Sequence, residues 1–325
     1  GSCTYNNLSL AAGKTYTFNN STTQTFNGTL LADGTCSAPT EIYCTNGFAT
    51  FSKVSGTVTE NYIRLKNIYA TGGANFIANN VTDFGGNTGW TLNQSSSQTL
   101  YWIGNTGNWS DASHWSTTSG GVSSNCIPTI YSNVVFDANS FTGGGHSVTI
   151  DKTSYCKDMT WVGVTNTPTL AGTGELDIYG SLTLSSTMNL TYTGNLYFKS
   201  NLTTATITTA GRVVRSSLYF DGTGGGWTLQ DSLVTFGTGT TMTLNSGSLN
   251  TNGKYVYLSR FSSSTAGVRM LTLGNSTIEM TFSGYSAWSV GSTNLTFNAG
   301  TSLLKLTGSN AVLSSGSLAY YDVHF

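Results

Sequence analysis

Fourteen carboxylates, three histidines and five cysteines are the residues of this chain with chemistry to offer. Asp137, Asp151, Asp158, Asp177, Asp221, Asp231 and Glu279 are scattered along its second two-thirds. A glycosidase needs two carboxyl groups about 5–10 Å apart. Asp177 and Asp221 are the pair that neighbouring turns of chain would align, although aspartate is also a common turn residue. His114, His146 and His324 lie far apart, with no serine or cysteine nucleophile motif beside them. His114, next to Trp115 and close to Trp109, reads as a packing residue. The glycine runs 143–145 and 224–226 lack the Lys-Ser/Thr ending of a phosphate-binding loop and read as turns.

The cysteines form no Cys-x-x-Cys and no Cys/His cluster, so neither a metal nor another cofactor is expected. Cys36 and Cys44 bracket a short segment containing Pro39 and are placed to clip a loop. Cys126 and Cys156 flank a candidate strand pair, which leaves Cys3 over. The alternative is five free, buried thiols. Tyr101, Trp102, Trp109 and Trp115 cluster in sequence and offer a glycan contact, since aromatic rings stack on sugars as readily as in cores. Packing in a core is the competing role. Thr-x-Thr ladders such as 203–209 suggest an ice-binding face, but threonine is spread over the whole chain.

Charged residues make up 8% of the 325, against about a quarter in an ordinary domain. With net charge −1, the chain has no electrostatic case for nucleic acid or an anionic membrane. No run of about 18 apolar residues occurs, so no inserted helix is expected. A hydrophobic content of 38%, with 12% aromatic, is enough for a packed core. The chain starts at Gly1-Ser2 without a methionine or a basic-then-apolar leader, as expected of a mature product or an excised piece.

The elements that must position these groups are short strands. Helical periodicity is nearly absent. Leu182-Thr183-Leu184, Leu196-Tyr197-Phe198, Met242-Thr243-Leu244 and Leu271-Thr272-Leu273 alternate with period two, each bounded by Gly, Ser or Asn. Asn7-Leu8-Ser9-Leu10, Asp158-Met159-Thr160-Trp161 and Asp322-Val323-His324-Phe325 share an Asx, aliphatic, polar, large-apolar pattern. Phe26-Asn27-Gly28-Thr29-Leu30 and Ile178-Tyr179-Gly180-Ser181-Leu182 follow the first two at similar separations. Gly89-Trp90-Thr91-Leu92 echoes Gly226-Trp227-Thr228-Leu229, which places both tryptophans in equivalent buried corners. Such recurrence predicts an all-β, right-handed parallel β-helix (a β-solenoid), elongated, with about 20–25 residues per coil. The expected divisions are 1–92 as the end of one repeat unit, 93–98 as a polar linker, 99–161 as a Trp- and Cys-containing entry or cap, and 162–325 as coils.

Three stretches carry a resemblance: residues 101–116, the run Asn133-Val134-Val135-Phe136-Asp137, and Phe261-Ser262-Ser263-Ser264 leading to Arg269 and on to residues 273–277. They resemble large secreted surface proteins of gliding and environmental bacteria (Bacteroidota type), and some phage tail-like proteins. Residues 72–90 look like the closing element of the same kind of unit. The resemblance implies an exported parallel β-helical array, displayed at the cell surface as adhesin or fibre, and carries over no catalytic residue. It also implies that the chain is a slice across tandem repeats, with neighbouring units, end-to-end copies and surface glycans as partners. Asp231-Ser232-Leu233 resembles the short acceptor for O-glycosylation in that bacterial group, which marks Ser232. Two functional expectations follow: a non-catalytic stalk or adhesin segment, and a carbohydrate-binding or carbohydrate-active β-helix. A groove with clustered carboxylates or parallel exposed aromatics along one face separates the second from the first.

Overall fold

Short period-two segments bury alternate side chains, and in the computed structural model each such segment pairs in parallel with the segment one coil away. Thr277–Met280 and Leu303–Leu306 both run outward, buried, outward, buried, and they lie in register Ile278 to Leu304 and Met280 to Leu306. The structure describes residues 1–237, 239–283 and 286–325. It is an all-β solenoid making about 14 turns. The single antiparallel pair among the described residues joins Gln98–Trp102 to Trp115–Ser116, and the single helical element is one 3-10 turn, Ala112–His114. No helix among them is long and apolar enough to cross a membrane.

Two units divide the chain: Gly1–Ser97 with Asn125–Ile127, and Gln98–Ser124 with Pro128–Phe325. In the first, the parallel stack Cys3–Tyr5, Thr23–Phe26, Ala49–Ser52, Ile68–Thr71 forms one wall. Thr15–Phe18, Thr40–Cys44, Ile63–Lys66 and Asn75–Asp83 form another. Phe26, Ile42, Phe51, Leu65 and Phe76 fill the space between. In the second unit an inward ladder runs Leu176, Leu196, Leu218, Met242, Phe261, Trp288, each the register partner of the next. Like side chains in adjacent coils stack: the Phe198 and Phe220 rings are 5.1 Å apart and 12° from parallel.

Polar side chains fix one coil to the next, which explains the recurrences in the sequence. Asn7 Oδ1 accepts the Thr29 N–H at 2.8 Å, and Asp158 Oδ1 accepts the Ser181 N–H at 2.7 Å. Gly28 and Gly180 stand between, because a Cβ at either would overlap that Asx oxygen. Corners use asparagine with positive φ, a conformation it tolerates better than most residues. Asn67, Asn166, Asn252 and Asn294 adopt it, and each donates Nδ2–H to a carbonyl of the preceding coil, at Cys44, Phe141, Leu229 and Ala266. Arg269, fully buried, donates to Ser263 O and Oγ, Gly267 O, Gly291 O and Thr293 O. That accounts for the co-occurrence of Phe261–Ser264 with Arg269.

Several expectations need correction. The disulfide is Cys36–Cys126, across 90 residues and within the first unit, in place of Cys36–Cys44 and Cys126–Cys156. Cys44 and Cys156 occupy inward positions of the strands Thr40–Cys44 and Ser154–Cys156, fully buried and free, so alternation points both thiols into apolar cores. Cys3 is free and exposed. Residues 93–98 are not a continuous linker. Asn93 and Gln94 end the strand Trp90–Gln94, while Gln98 starts the strand Gln98–Trp102. Trp90 and Trp227 are not equivalent: Trp227 lies inside the strand Leu218–Leu229 with a paired strand on each side, whereas Trp90 is the first residue of Trp90–Gln94, the edge strand of its sheet, just after the positive-φ Gly89. Trp227 is 1% exposed and packs beside the stacked rings of Phe198 and Phe220, whereas Trp90 is half-buried against Phe76.

Candidate functional site

The tryptophans expected to meet a glycan are core. Trp102, Trp109 and Trp115 are 0–2% exposed, with ring centroids 5.1 Å apart for 102–115 and 4.8 Å for 109–115. Trp102 Nε1 donates to Asn105 O and Trp115 Nε1 to Trp109 O, so their polar edges are used internally. His114 stacks on Trp102 at 4.6 Å and 4°, with Nδ1 2.7 Å from Ile103 O. Tyr101 alone of the four reaches the surface, half-buried. The run is therefore the packed first coil of the second unit. Ser232 is exposed, while the preceding Asp231 carboxylate is held by the N–H groups of Thr209 and Ala210.

Most acids serve as caps or ties. Asp151 accepts from Ser110, Asp158 from Ser181, Asp137 from Asn139 and Ser140, Asp221 from Ser246, and Glu279 from the Tyr255 hydroxyl. Asp177 and Asp221 are not brought together. The coil bearing Tyr197 and Lys199 lies between theirs, because Asp177 pairs with Tyr197 and Tyr197 with Tyr219.

Asp177 is the one buried acid among the described residues of this unit. It occupies the outward position of Leu176–Ile178, covered by neighbours in adjacent coils until only 2% is exposed. Oδ2 lies 2.6 Å from Lys199 Nζ, itself 4.7 Å from the Tyr197 ring centroid. Oδ1 is buried and accepts no hydrogen bond among the described residues, and the Glu175 carboxyl, two residues back in the sequence, adds its charge to the site. Burial, outweighing the pull of Lys199 and aided by Glu175, pushes Asp177 up to about 6. Burial also pushes Tyr197 up to about 12, with Glu175 adding to it, and raises Tyr179 and Tyr192 further. The cluster suits coil-to-coil fastening.

The same outward position, followed along successive coils, forms a column: Tyr155, Asp177, Tyr197, Tyr219, Thr243, Ser262, Ser289, Ser314. Tyr197 and Tyr219 are half-buried and stacked, 4.5 Å apart and 15° from parallel. At Thr243 the rings stop, and a groove of about 360 Å³ opens, lined by Tyr219, Thr241, Thr243, Arg260, Ser262, Ser286 and Ser289. Sequence reading missed this face. Its residues are 19–27 apart, and although Asp177, Tyr197, Thr243 and Ser262 each draw notice singly, no local motif links one to the next.

No family model matches the chain, and comparison with curated proteins and with solved structures finds no match.

Proposed function

We propose that this chain is a non-catalytic β-solenoid scaffold of the adhesin or stalk type, exported and displayed at a cell or fibre surface. One observation carries the reading: the acids and amides are engaged in bonds between coils instead of lining a cleft. Even the buried Asp177 is tied to Lys199 of the next coil. The Cys36–Cys126 disulfide supports an oxidising, exported location. Further coils of the same kind are the partners that fit such a stack. A carbohydrate-binding role is the second reading, favoured by the stacked, half-buried pair Tyr197 and Tyr219 beside a groove.

The test pairs two measurements on the purified protein. Incubation with a panel of neutral and acidic polysaccharides should release no reducing ends and no unsaturated uronate. Beads coated with the protein should be retained on cell-wall or glycan surfaces above uncoated beads. Turnover of any glycan that disappears in Asp177→Asn would overturn the non-catalytic reading. Absence of retention on every surface would overturn the adhesive one.

A further inference from the structure

The groove beyond Tyr219 is lined by a cation, Arg260, that has no anionic partner among the described residues. The Arg260 guanidinium makes no ion pair and no hydrogen bond among the described residues, and its Nε is buried without an acceptor. Among the described residues it lies against the Phe282 ring, 4.7 Å from the centroid, which holds the planar group in place. A buried donor left unpaired is unfavourable, and native proteins rarely leave one without a reason. A guanidinium presents its donors as a fork that matches a carboxylate or sulfate with two parallel bonds.

The rest of the lining fits a sugar. One face of Tyr219 is covered by Tyr197, and the other looks along the stack toward Thr243, whose side chain is too short to cover it. The Thr243 and Ser262 hydroxyls make no hydrogen bond to protein among the described residues. The groove spans the coils of Thr243, Ser262 and Ser289, a floor roughly 10–15 Å long at about 4.8 Å per coil. That length accommodates a short oligosaccharide.

We propose that this groove binds an acidic glycan, with a sugar ring against the free face of Tyr219, its anionic group forked on Arg260, and its hydroxyls on Thr243 and Ser262. The proposal rests on the carbohydrate-binding reading and names its ligand class and contacts. The shared chemistry is an anionic oxygen pair carried on a sugar, whether carboxylate or sulfate.

Calorimetric titration with oligogalacturonate, chondroitin sulfate oligomers and neutral cello-oligosaccharides tests it. One or both acidic ligands should bind, the preferred one identifying the anion, and the neutral series should bind at least about tenfold more weakly, the worth of a charge-assisted bond. Arg260→Gln should lose about tenfold or more for acidic ligands and nothing for neutral ones. Thr243→Tyr, which extends the ring column into the groove, should abolish both while leaving the circular dichroism unchanged. Equal affinity of wild type and Arg260→Gln for acidic ligands would sink the proposal. Neutral binding that is indifferent to Arg260 and lost in Tyr219→Ala would leave the general carbohydrate reading standing and remove this one. Failure of every glycan would remove both. Displacement of a bound acidic glycan by an equal concentration of single-stranded oligonucleotide would show that the groove reads charge alone, and would likewise overturn the glycan assignment.

Discussion

Glu60 makes the stability of the first unit depend on pH in a direction opposite to that of an ordinary salt-bridged carboxylate. It lies in Thr57–Asn61 with 2% of its surface exposed, and Oε2 accepts the Ala32 N–H at 2.6 Å. Burial pushes its pKa up to about 7 from 4.5; the Ala32 N–H opposes this, and the nearby Asp33 charge adds to it. The folded unit therefore holds this proton more tightly than the unfolded chain does. The resulting stabilisation is fully present below pH 4.5 and is lost as pH rises through about 7. At 1.36 kcal/mol per pKa unit the site contributes about 3 kcal/mol, trimmed to about 2–3 kcal/mol by residual solvent access.

Glu60→Gln keeps an acceptor for Ala32 and cannot ionise. At pH 5 the variant should lie within about 1 kcal/mol of the wild type, and at pH 8 it should be more stable by about 2–3 kcal/mol. Urea titrations read by pulsed hydrogen exchange over the peptide containing Thr57–Asn61 isolate this unit from the second, whose Asp177 has the same sign. Asp33→Asn removes one cause of the shift and should move the window to lower pH. Parallel pH profiles for wild type and Glu60→Gln would refute the argument, as would a variant that is the less stable at pH 8.

Trp227→Ala should cost about 3–5 kcal/mol, because the indole sits fully buried beside two stacked phenylalanines, while half-buried Trp90→Ala should cost distinctly less; equal losses in urea titrations would contradict the placement. Cys126→Ser opens a covalent loop closed over 90 residues and should destabilise the first unit by about 4–5 kcal/mol in the chain-entropy account. A loss below about 1 kcal/mol there, read by the same exchange assay, would count against it. Gly180→Ala places a Cβ on the Asp158 oxygen, so Asp158→Ala and Gly180→Ala should be less than additive when combined; strict additivity of their thermal shifts would show that the two do not meet.

The period-two runs were enough to read parallel coils, because each strand declares its buried face locally. Met242-Thr243-Leu244 buries Met242 and Leu244 and turns Thr243 out, as alternation dictates. The Asx recurrence was visible too, and its cause is a contact: Asn7 and Asp158 repeat because each caps the coil after it, and Gly28 and Gly180 repeat because that cap occupies the space of a Cβ. Disulfide pairing was not visible. Cys36 and Cys126 meet through a fold that returns residues 125–127 to the first unit after an excursion through 98–124, and nothing in the spacing records that return. Three tryptophans close together in sequence likewise gave no hint of which way they face. An antiparallel pair turns Trp102 and Trp115 onto each other, and among the described residues it is the one place where the parallel rule fails.

The candidate site was hidden for a reason particular to solenoids. Function on such a scaffold lies along the column of one outward position, so its members are separated by a whole coil. From Tyr155 to Ser314 those separations are 22, 20, 22, 24, 19, 27 and 25 residues. Corners absorb the difference, since a loop at the surface can lengthen at little cost while strand register cannot slip without inverting a buried face. The period is constant in space and irregular in sequence. A search for residues of one chemical type at fixed spacing therefore misses a column such as Tyr197–Tyr219 with the open groove beyond it, and finds instead local clusters such as Trp102, Trp109 and Trp115, which packing already explains. On this chain the chemistry to look for is a change of residue size along a column: where rings give way to hydroxyls, a smooth face becomes a site.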